Sequence, residues 1–394
     1  MTLAVGEFSA RLVAELDVGG ALGTWREAYL AVARHEFIPD HVWVSRDGGQ
    51  VGDPPVVPVD RVADPQRWLA LVYSNTAVLT QFDDGRVRWP GVDVRHSSSS
   101  SSEPALMLRM LNALDVHHGH RVLEIGTGTG YNAALLAHRL GAGQVVSIEV
   151  DPQVAEQARR ALARAGFTPT VVTADGCAGY PVGAPYDRVI ATCSALLGQI
   201  PYQWVAQTRA GGRLVIPVRT DLTSGPLVSF RVNGDGTATG RVVGLCEFMS
   251  LRAQRTPPAP DDVGGDGTDA VETSTDLKPW LAVNEEHVRW AVGSRVSACR
   301  WWHTPPGQGR KRHVLWFSDP TSGSWATASY DRDPGPYLVR QHGPRRLWNE
   351  IEAAYRWWRH HGEPGFDNWV FTVTPHRQTT ELTGEATARG SCWW

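Results

Sequence analysis

The sequence predicts an α/β protein whose central element is a doubly wound, largely parallel β-sheet. Short apolar runs alternate with helical patterns between residues 103 and 250, which is typical of a sheet built from βαβ units. A glycine-rich turn separates the first of these runs from the helical pattern that follows it. At 394 residues, with 42% hydrophobic and 20% charged residues, the chain is long enough for two or three packed domains.

The strands of this sheet are expected where apolar runs are bounded by turn residues. The segment "NAALLAHRLG" predicts a helix between the first two strands. A second helix is expected to begin at Pro152, which suits a first helical turn, and to end at Gly166. Two later runs, at 225–236 and 240–251, predict an antiparallel hairpin that completes the sheet. Five strands precede that hairpin, at 121–126, 144–150, 168–175, 186–192 and 212–218.

Segments on both sides of the sheet complete the predicted organisation. Residues 1–95 carry the helical pattern "FSARLVAELDVGG" and the strand-like "WLALVYSNTAVLTQF", and are expected to form a helical and β extension on the substrate side. The sheet domain is predicted to span 96–252. Residues 253–276 are rich in Pro, Gly and Asp, which is typical of a linker. Residues 277–394 are predicted to form an α+β C-terminal domain.

Tryptophan is concentrated in that C-terminal domain, since 12 of the 17 tryptophans lie after residue 279. Mixed with arginine, they fit either a binding surface for a peptide or a stacking platform for nucleic acid. One helical segment argues for a core instead, because its apolar residues recur at helical spacing and predict one buried face. These residues are Leu347, Ile351, Ala354, Tyr355 and Trp358.

Charge, hydropathy and cysteine usage exclude several classes of protein. A net charge of −3 gives no bias toward nucleic acid or anionic membranes, and no apolar run approaches the length of a membrane span. The N-terminus lacks the basic start and apolar core of a secretion signal. Five widely spaced cysteines argue against disulfides and zinc. We therefore expect a cytoplasmic protein without a metal, and we favour a monomer.

The stretch "RVLEIGTGTGYNAALLAHRLG" predicts a cofactor loop between the first strand and its helix. Its glycines allow the main chain to approach a ligand closely, at the N-terminus of a helix. A dinucleotide site would require a glycine at position 131, which is Tyr131. The spacing suits S-adenosylmethionine, which has no pyrophosphate. The cofactor-binding residues expected in this loop are Glu124, Gly126, Thr127, Gly128 and Gly130.

The ends of the next two strands carry further groups suited to this cofactor. Glu149 ends the second strand, where a carboxylate can accept hydrogen bonds from both ribose hydroxyls. Asp175 ends the third strand and is expected to accept from the adenine amino group, while Gly176 keeps the backbone open. Because ligands collect at this edge of a doubly wound sheet, the three strand ends together predict a class I S-adenosylmethionine-dependent methyltransferase with a Rossmann-like fold.

The residues give less information about the chemical group that accepts the methyl group. The loop after the fourth strand, "ATCSALLGQIP", lacks the Asn/Asp-Pro-Pro-aromatic cluster that holds an amine, and no metal-binding set lies near it. A carboxylate acceptor needs neither, because its pKa of about 4 leaves it ionised and nucleophilic at neutral pH. The loop is therefore compatible with methylation of a carboxylate.

Several motifs in order resemble the protein-L-isoaspartate (D-aspartate) O-methyltransferase family over roughly residues 10 to 250. They are "ARHEFIPD", "VYSN", "SSSEPALMLRML", "VLEIGTGTGYNAALLA", "YDRVIATCSA" and "GGRLVIPV". The chain departs from the family pattern at Asn75 and Glu103, in "FMSL" at 248–251, and in a longer segment between Tyr73 and Ser102. It also departs in the unit at 277–394, which the resemblance implies is absent from the repair enzyme.

The resemblance implies methyl esterification of an aspartyl or isoaspartyl side chain in a peptide or protein, followed by succinimide formation. It places a catalytic, substrate-contacting serine at Ser102 and further substrate contacts at Ser101, Thr192 and Ser194. Ser97 to Ser100 fit either a flexible spacer or a mobile flap that orders when a peptide binds. The additional C-terminal domain favours a dedicated ribosomal precursor peptide, as in lanthipeptide or graspetide maturation. General isoaspartyl repair is the alternative, and a nucleic-acid-directed methyltransferase or a non-catalytic binding protein is an alternative of another class.

Overall fold

A computed structural model describes residues 2–45, 55–256, 269–307 and 311–383. The helices are α1 (Thr2–Val18), α2 (Arg26–Ala31), α3 (Pro65–Val72), α4 (Pro104–Leu114), α5 (Tyr131–Leu140), α6 (Pro152–Arg164), α7 (Tyr202–Ala206), α8 (Glu286–Gly293) and α9 (Leu347–His360). The first nine strands are β1 (His41–Ser45), β2 (Val56–Asp60), β3 (Val78–Phe82), β4 (Ser97–Ser101), β5 (Val122–Ile125), β6 (Val145–Glu149), β7 (Thr170–Thr173), β8 (Tyr186–Ala191) and β9 (Ala195–Leu196). The later strands are β10 (Thr208–Arg219), β11 (Gly225–Val232), β12 (Ala238–Cys246), β13 (Val271–Thr275), β14 (Arg300–Thr304), β15 (His313–Asp319), β16 (Ser324–Tyr330), β17 (Tyr337–His342), β18 (Trp369–Val373) and β19 (Gln378–Leu382).

The largest sheet has the order β19-β18-β12-β11-β10-β8-β5-β6-β7, with β9 paired to β10 beside this path. Strands β10, β8, β5, β6 and β7 run parallel, and the order reverses about β5, as in a doubly wound sheet. Strands β11 and β12 form the antiparallel hairpin that the sequence predicts. The predicted class I methyltransferase-like fold is confirmed.

The crossover helices of this sheet begin where local chemistry places them. Helix α6 starts at Pro152, and the side chain of Asp151 caps it by accepting hydrogen bonds from the next two free backbone N–H groups. Helix α5 is entered through Gly130, whose φ of 86° is accessible mainly to glycine. Both helices pack their apolar faces against the sheet.

The N-terminal region contributes a four-stranded sheet of order β2-β1-β3-β4. The interpretation of residues 68–82 as one strand is wrong in its first half, which lies in helix α3. Asp64 caps that helix, Pro65 occupies its first turn, and Trp68, Leu69 and Val72 recur on its buried face. Helix formation therefore prevails there over the β-propensity of the same residues.

The serine run forms edge strand β4, and its residues pair with Val78–Phe82 of β3. The segment is thus a paired strand, and its predicted mobility stays a prediction. Serine has little intrinsic preference for strands, but Ser99 and Ser101 are buried against neighbouring elements. Pairing with the apolar strand β3 decides the conformation of this segment.

The C-terminal region forms a second sheet of order β13-β17-β16-β15-β14, against which α9 packs. The stripe predicted for α9 is buried as expected. Strand β13 lies inside the predicted linker, and residues 257–268 of that linker lie outside the described residues.

The C-terminal region also extends the central sheet, because β18 pairs with β12 and β19 with β18. One apolar core runs from β5 and β8 through Trp290 to α9. Residues 277–307 and 311–383 are therefore packed as part of the same sheet and core. The domain boundaries at 95, 252 and 276 stay predictions.

Candidate active site

A cavity of about 540 Å³ lies at the carboxyl ends of the parallel strands. Its floor is the end of β5 and the turn that follows it, and one wall is β4, whose serines all border the cavity. A further part of the wall comes from residues 245–255, which we call the strap; residues 245–252 and Arg255 border the cavity. The cavity thus lies where a doubly wound sheet binds ligands, at the point where the strand order reverses.

The glycine turn leaves its main chain open because side chains have no room there. A Cβ at Gly126 would lie 2.6 Å from Thr192 Oγ1, and one at Gly128 would lie 3.0 Å from the carbonyl oxygen of Ser100. Both glycines also have positive φ, 94° and 54°. Any other residue would therefore strain the turn and collide with these neighbouring protein atoms.

Glu124 lies behind this turn and, among the residues that the structure describes, is not part of the cavity wall. It is fully buried and accepts hydrogen bonds from Asn132 Nδ2 (2.6 Å) and Ser147 Oγ (2.5 Å). Burial raises the pKa of its carboxyl to about 7. The Oγ1 of Thr127, a residue that does border the cavity, lies 2.6 Å from Ser147 Oγ. Glu124 thus supports the turn from within.

Gly130 has a structural role in the packing of α5 against α6. A Cβ at this residue would meet Leu162 at 3.2 Å, so the glycine lets α5 pack closely on α6. Neither Glu124 nor Gly130 is in the cavity wall, whereas Gly126, Thr127 and Gly128 are.

Two acids at strand ends border the cavity as the sequence suggests. Glu149 accepts from the backbone N–H of Gly128 (3.0 Å) and of Asp151 (3.1 Å), and burial raises its pKa. Asp175 is exposed, and its Oδ1 accepts from the N–H of Cys177 at 2.9 Å. The unused lone pairs of both carboxylates can accept from a ligand.

Gly176, next to Asp175, is another position where only a glycine fits, and its backbone lies close to β5. Gly176 is buried, and a Cβ there would lie 2.6 Å from Ile125 Cγ2. Its carbonyl oxygen accepts from the indole N–H of Trp204 at 2.8 Å. These contacts keep the backbone at Gly176 close to β5 at the cavity wall.

The end of β4 carries the residues for which the sequence predicts contacts with substrate. Ser101 is 3% exposed, and its hydroxyl has no hydrogen-bond partner within the described part of the chain. Ser102 borders the cavity next to it. Thr192 Oγ1 donates to the carbonyl of Gly126 at 2.5 Å, which joins the acceptor side to the glycine turn. A buried, unpaired hydroxyl at a cavity wall is suited to a ligand.

Ser194 is not among the residues that line the cavity in the described part of the chain. Its hydroxyl donates to the carbonyl of Phe248 at 3.0 Å, and its N–H donates to that of Met249 at 2.8 Å. The structure therefore gives Ser194 a contact with the strap, and its predicted contact with substrate stays a prediction.

Sequence reasoning missed three arginines that hold the walls together. Arg34, quoted in a motif but given no role, is buried and donates to the carbonyls of Ser101 and Ser102. Arg252 of the strap contacts Asp84 (3.3 Å) and Asp151 (3.3 Å). Arg255 contacts Asp84 at 2.9 Å. These partners are up to 171 residues apart in the chain, so no local pattern indicates them.

The residues of the cavity fit S-adenosylmethionine. A glycine turn that a Cβ would obstruct, two carboxylates at successive strand ends and an unpaired buried hydroxyl surround one space of about 540 Å³. A metal has no comparable place, because no group of three or more His, Cys, Asp or Glu residues in the described ranges could hold one. In the same ranges, no helix is long and apolar enough to cross a membrane.

Comparison with known proteins agrees with this geometry. Residues 75–256 match the family model of Protein-L-isoaspartate(D-aspartate) O-methyltransferase. A protein-L-isoaspartate O-methyltransferase of Methanopyrus kandleri is 31% identical over 246 residues, or 61% of this chain and 89% of that protein. A protein-L-isoaspartate O-methyltransferase of Methanoculleus marisnigri is 48% identical over 118 residues, which are 30% of this chain and 52% of that protein. The alignments to that relative and to one from Ignicoccus hospitalis span about half of each relative's length.

A solved structure of a protein-L-isoaspartate O-methyltransferase matches at the level of the fold. The TM-score is 0.52 at 21% identity, over 95% of this chain and 99% of the other. Such coverage includes most of residues 277–394, so the inference that the repair enzyme lacks this unit is wrong for that protein. The predicted S-adenosylmethionine-dependent carboxyl methyltransferase is confirmed at the level of the family. The chain belongs to the protein-L-isoaspartate O-methyltransferase family.

Proposed function

We propose that this protein methylates the free carboxylate of isoaspartyl residues in peptides and proteins. The observation that carries the proposal is the arrangement of the cavity. A glycine turn and two strand-end carboxylates on one side face a strand of serines on the other, with an unpaired hydroxyl at Ser101. This arrangement suits a nucleoside cofactor beside a carboxylate acceptor.

The chemistry requires positioning more than acid–base assistance. An acceptor carboxylate is ionised at neutral pH, so no residue has to remove a proton. S-adenosylmethionine, when bound, supplies an electrophilic methyl group. The hydroxyls of Ser101 and Ser102 can donate to one carboxylate oxygen and leave the other free to attack. Arg34 keeps this part of β4 in place through its carbonyls.

The methyl ester then reacts without further help from the protein. The backbone nitrogen that follows the esterified residue attacks the ester carbonyl, its proton and the methoxy group leave as methanol, and a succinimide forms. Hydrolysis of the succinimide yields aspartyl and isoaspartyl products. Release of methanol is therefore a signature of the reaction.

General activity on isoaspartyl residues is better supported than a dedicated precursor peptide. The relatives are named as protein-L-isoaspartate O-methyltransferases, and the solved fold that matches includes the C-terminal unit. Four of the ten described tryptophans after residue 279 are buried in the core and cannot form a peptide-docking surface; they are Trp290, Trp348, Trp358 and Trp369. A ribosomal precursor peptide as substrate, a cytoplasmic location and a monomeric state stay predictions.

The proposal is tested with two peptides of one sequence, one containing isoaspartate and the other aspartate. We expect a gain of one methyl group by mass spectrometry, and volatile methanol afterwards, only with the isoaspartyl peptide. Methylation of the aspartyl peptide alone would favour a dedicated substrate. Methylation of an amine, or of neither peptide, would refute the proposal.

A substitution at Ser102 tests the acceptor side. Ser102→Ala should lower kcat/KM for the isoaspartyl peptide by about tenfold or more, the effect of one lost hydrogen bond to a charged group. The Kd for S-adenosylhomocysteine, measured by calorimetry, should stay within about twofold. Ser329→Ala on β16, which does not border the cavity, is the matched control. Unchanged kcat/KM in Ser102→Ala would remove this serine from the site.

A further inference from the structure

Glu103 is a charged residue at the cavity wall to which the proposed reaction gives no role. It follows Ser101 and Ser102 directly, stands at the N-cap position of α4 and borders the cavity. Its side chain is half-buried and makes no capping hydrogen bond to the helix. Within the described ranges, its carboxylate forms neither a hydrogen bond nor an ion pair. A partly buried carboxylate thus lies without a partner beside the serines proposed to hold the acceptor.

Two arginines attract this carboxylate, but both donate their hydrogen bonds elsewhere. Arg34 is buried and donates to four backbone carbonyls. Arg109 is exposed and donates to the carbonyl of Leu245 at 3.3 Å. Burial raises the pKa of Glu103, although the charges of both arginines act to lower it. The surrounding protein therefore compensates the negative charge only in part.

Substrate binding makes this partial compensation costly. Water solvates the exposed part of a half-buried carboxylate, and a peptide that covers the wall removes some of that solvation. The acceptor of the proposed reaction is also a carboxylate, so binding places a second negative charge near the first. A cationic group in the substrate would offset both effects, whereas a further acidic group would increase them.

The chemistry of peptides identifies this cation. Lysine and arginine are the side chains that remain positively charged at neutral pH, and they donate hydrogen bonds without accepting any. Glu103 follows the two serines and is not one of the groups proposed to hold the acceptor carboxylate. The cation that meets it therefore belongs to a residue near the isoaspartate in the peptide chain, from which a long basic side chain can reach the wall.

We propose that Glu103 is a specificity-determining residue that binds a lysine or arginine side chain next to the isoaspartyl residue of the substrate. Isoaspartyl peptides with a basic neighbour are then preferred over those with an acidic neighbour. The inference rests on the proposed function, because it concerns the substrate of that reaction.

Glu247 provides a matched comparison within the same cavity. It borders the cavity on the strap, but its side chain is exposed. Solvent and salt screen the field of an exposed carboxylate, so its contribution to the choice between substrates should be small. A substitution there separates a specific contact at Glu103 from the general negative field of the cavity.

Isoaspartyl peptides that differ at one residue test the inference. One set varies the residue before the isoaspartate, and a second set varies the residue after it, as lysine, glutamine or glutamate. Release of methanol gives kcat/KM for each peptide. In at least one set we expect the wild type to favour lysine over glutamate at least about tenfold, the effect of one hydrogen bond between charged groups, with glutamine between them.

Two substitutions at Glu103 assign the preference to this residue. Glu103→Gln keeps the side-chain size and removes the charge, so the ratio of lysine to glutamate peptide should fall to within about threefold of one, with the Kd for S-adenosylhomocysteine within about twofold of the wild type. Glu103→Lys should reverse the order of the peptides, which a loss of structure cannot do. Glu247→Gln should keep the wild-type ratio. Thermal unfolding shows whether each variant is folded at the temperature of measurement.

The outcomes distinguish this inference from the proposed function. If the wild type methylates all peptides equally, or prefers the glutamate peptides, the inference is overturned and the proposed function stands. A wild-type ratio retained in Glu103→Gln, or lost equally in Glu247→Gln, would also overturn it, because another group or the general field would then select the substrate. Absence of methylation of every isoaspartyl peptide would overturn the proposed function and the inference with it.

Discussion

Removal of the guanidinium of Arg34 tests whether one buried cation holds the acceptor wall of the cavity. The side chain is 1% exposed. Its donors reach the carbonyls of Ser102 (3.0 Å), Thr76 (3.2 Å), Ser74 (3.3 Å) and Ser101 (3.4 Å). The perturbation is Arg34→Leu, which preserves much of the apolar packing and leaves these carbonyls without their donor.

The expected loss of stability follows from these contacts. A hydrogen bond from a charged donor contributes about 1.5–3 kcal/mol, and only the two shortest contacts have good length, so the gross loss is about 3–6 kcal/mol. Burial lowers the pKa of Arg34, which reflects the desolvation of its charge. Removing that charge offsets part of the loss, so we expect a net decrease of about 3 kcal/mol in the free energy of unfolding.

Urea unfolding of the wild type, Arg34→Leu and Arg34→Lys measures this decrease. Lysine keeps the charge but cannot reach four carbonyls in fork geometry, so its loss of stability should be intermediate. At a temperature where the variants are folded, the KM for the isoaspartyl peptide should rise more than the Kd for S-adenosylhomocysteine. A decrease below about 1 kcal/mol in Arg34→Leu, with KM unchanged, would refute the reasoning.

Two further predictions concern the interior of the protein. Burial raises the pKa of Glu124 to about 7, above its value of about 4.3 in an unfolded chain, so stability should fall as pH rises between these values. Glu124→Gln should remove about 3 kcal/mol of that pH dependence, measured by urea unfolding at pH 5 and pH 7.5, and an unchanged slope would contradict the assignment. Truncation after residue 276 should abolish cooperative unfolding, because it removes β18 and β19 from the central sheet and removes Trp290 and α9 from the shared core; a truncated protein as stable as the wild type would contradict this.

The parts of the fold that the sequence predicts well are those encoded within a few residues. Strands β5, β6 and β8 are apolar runs bounded by turns, and α6 has its capping aspartate and proline next to each other. The glycine turn is recognisable for the same reason, since its spacing expresses a local steric need. Short-range chemistry is enough to place these elements.

The errors concern segments whose partners are distant in the chain. The serine run becomes a strand because β3 pairs with it, and α3 forms where strand-like residues bury one helical face. Asn132 and Ser147 surround the carboxylate of Glu124, and its expected contact with the cofactor stays a prediction. A motif places a residue on a turn and does not say which way its side chain faces.

The sequence by itself determined the doubly wound sheet, the glycine turn and the two acids at strand ends, because strand periodicity, capping and backbone freedom act between neighbours in the chain. Only the tertiary structure decided that β18 and β19 join the central sheet, that Arg34 holds the carbonyls of β4, and that the carboxylate of Glu103 meets no partner in the described part of the chain. These features depend on which distant groups meet once the core has packed, and burial makes each pairing, or lack of one, energetically significant.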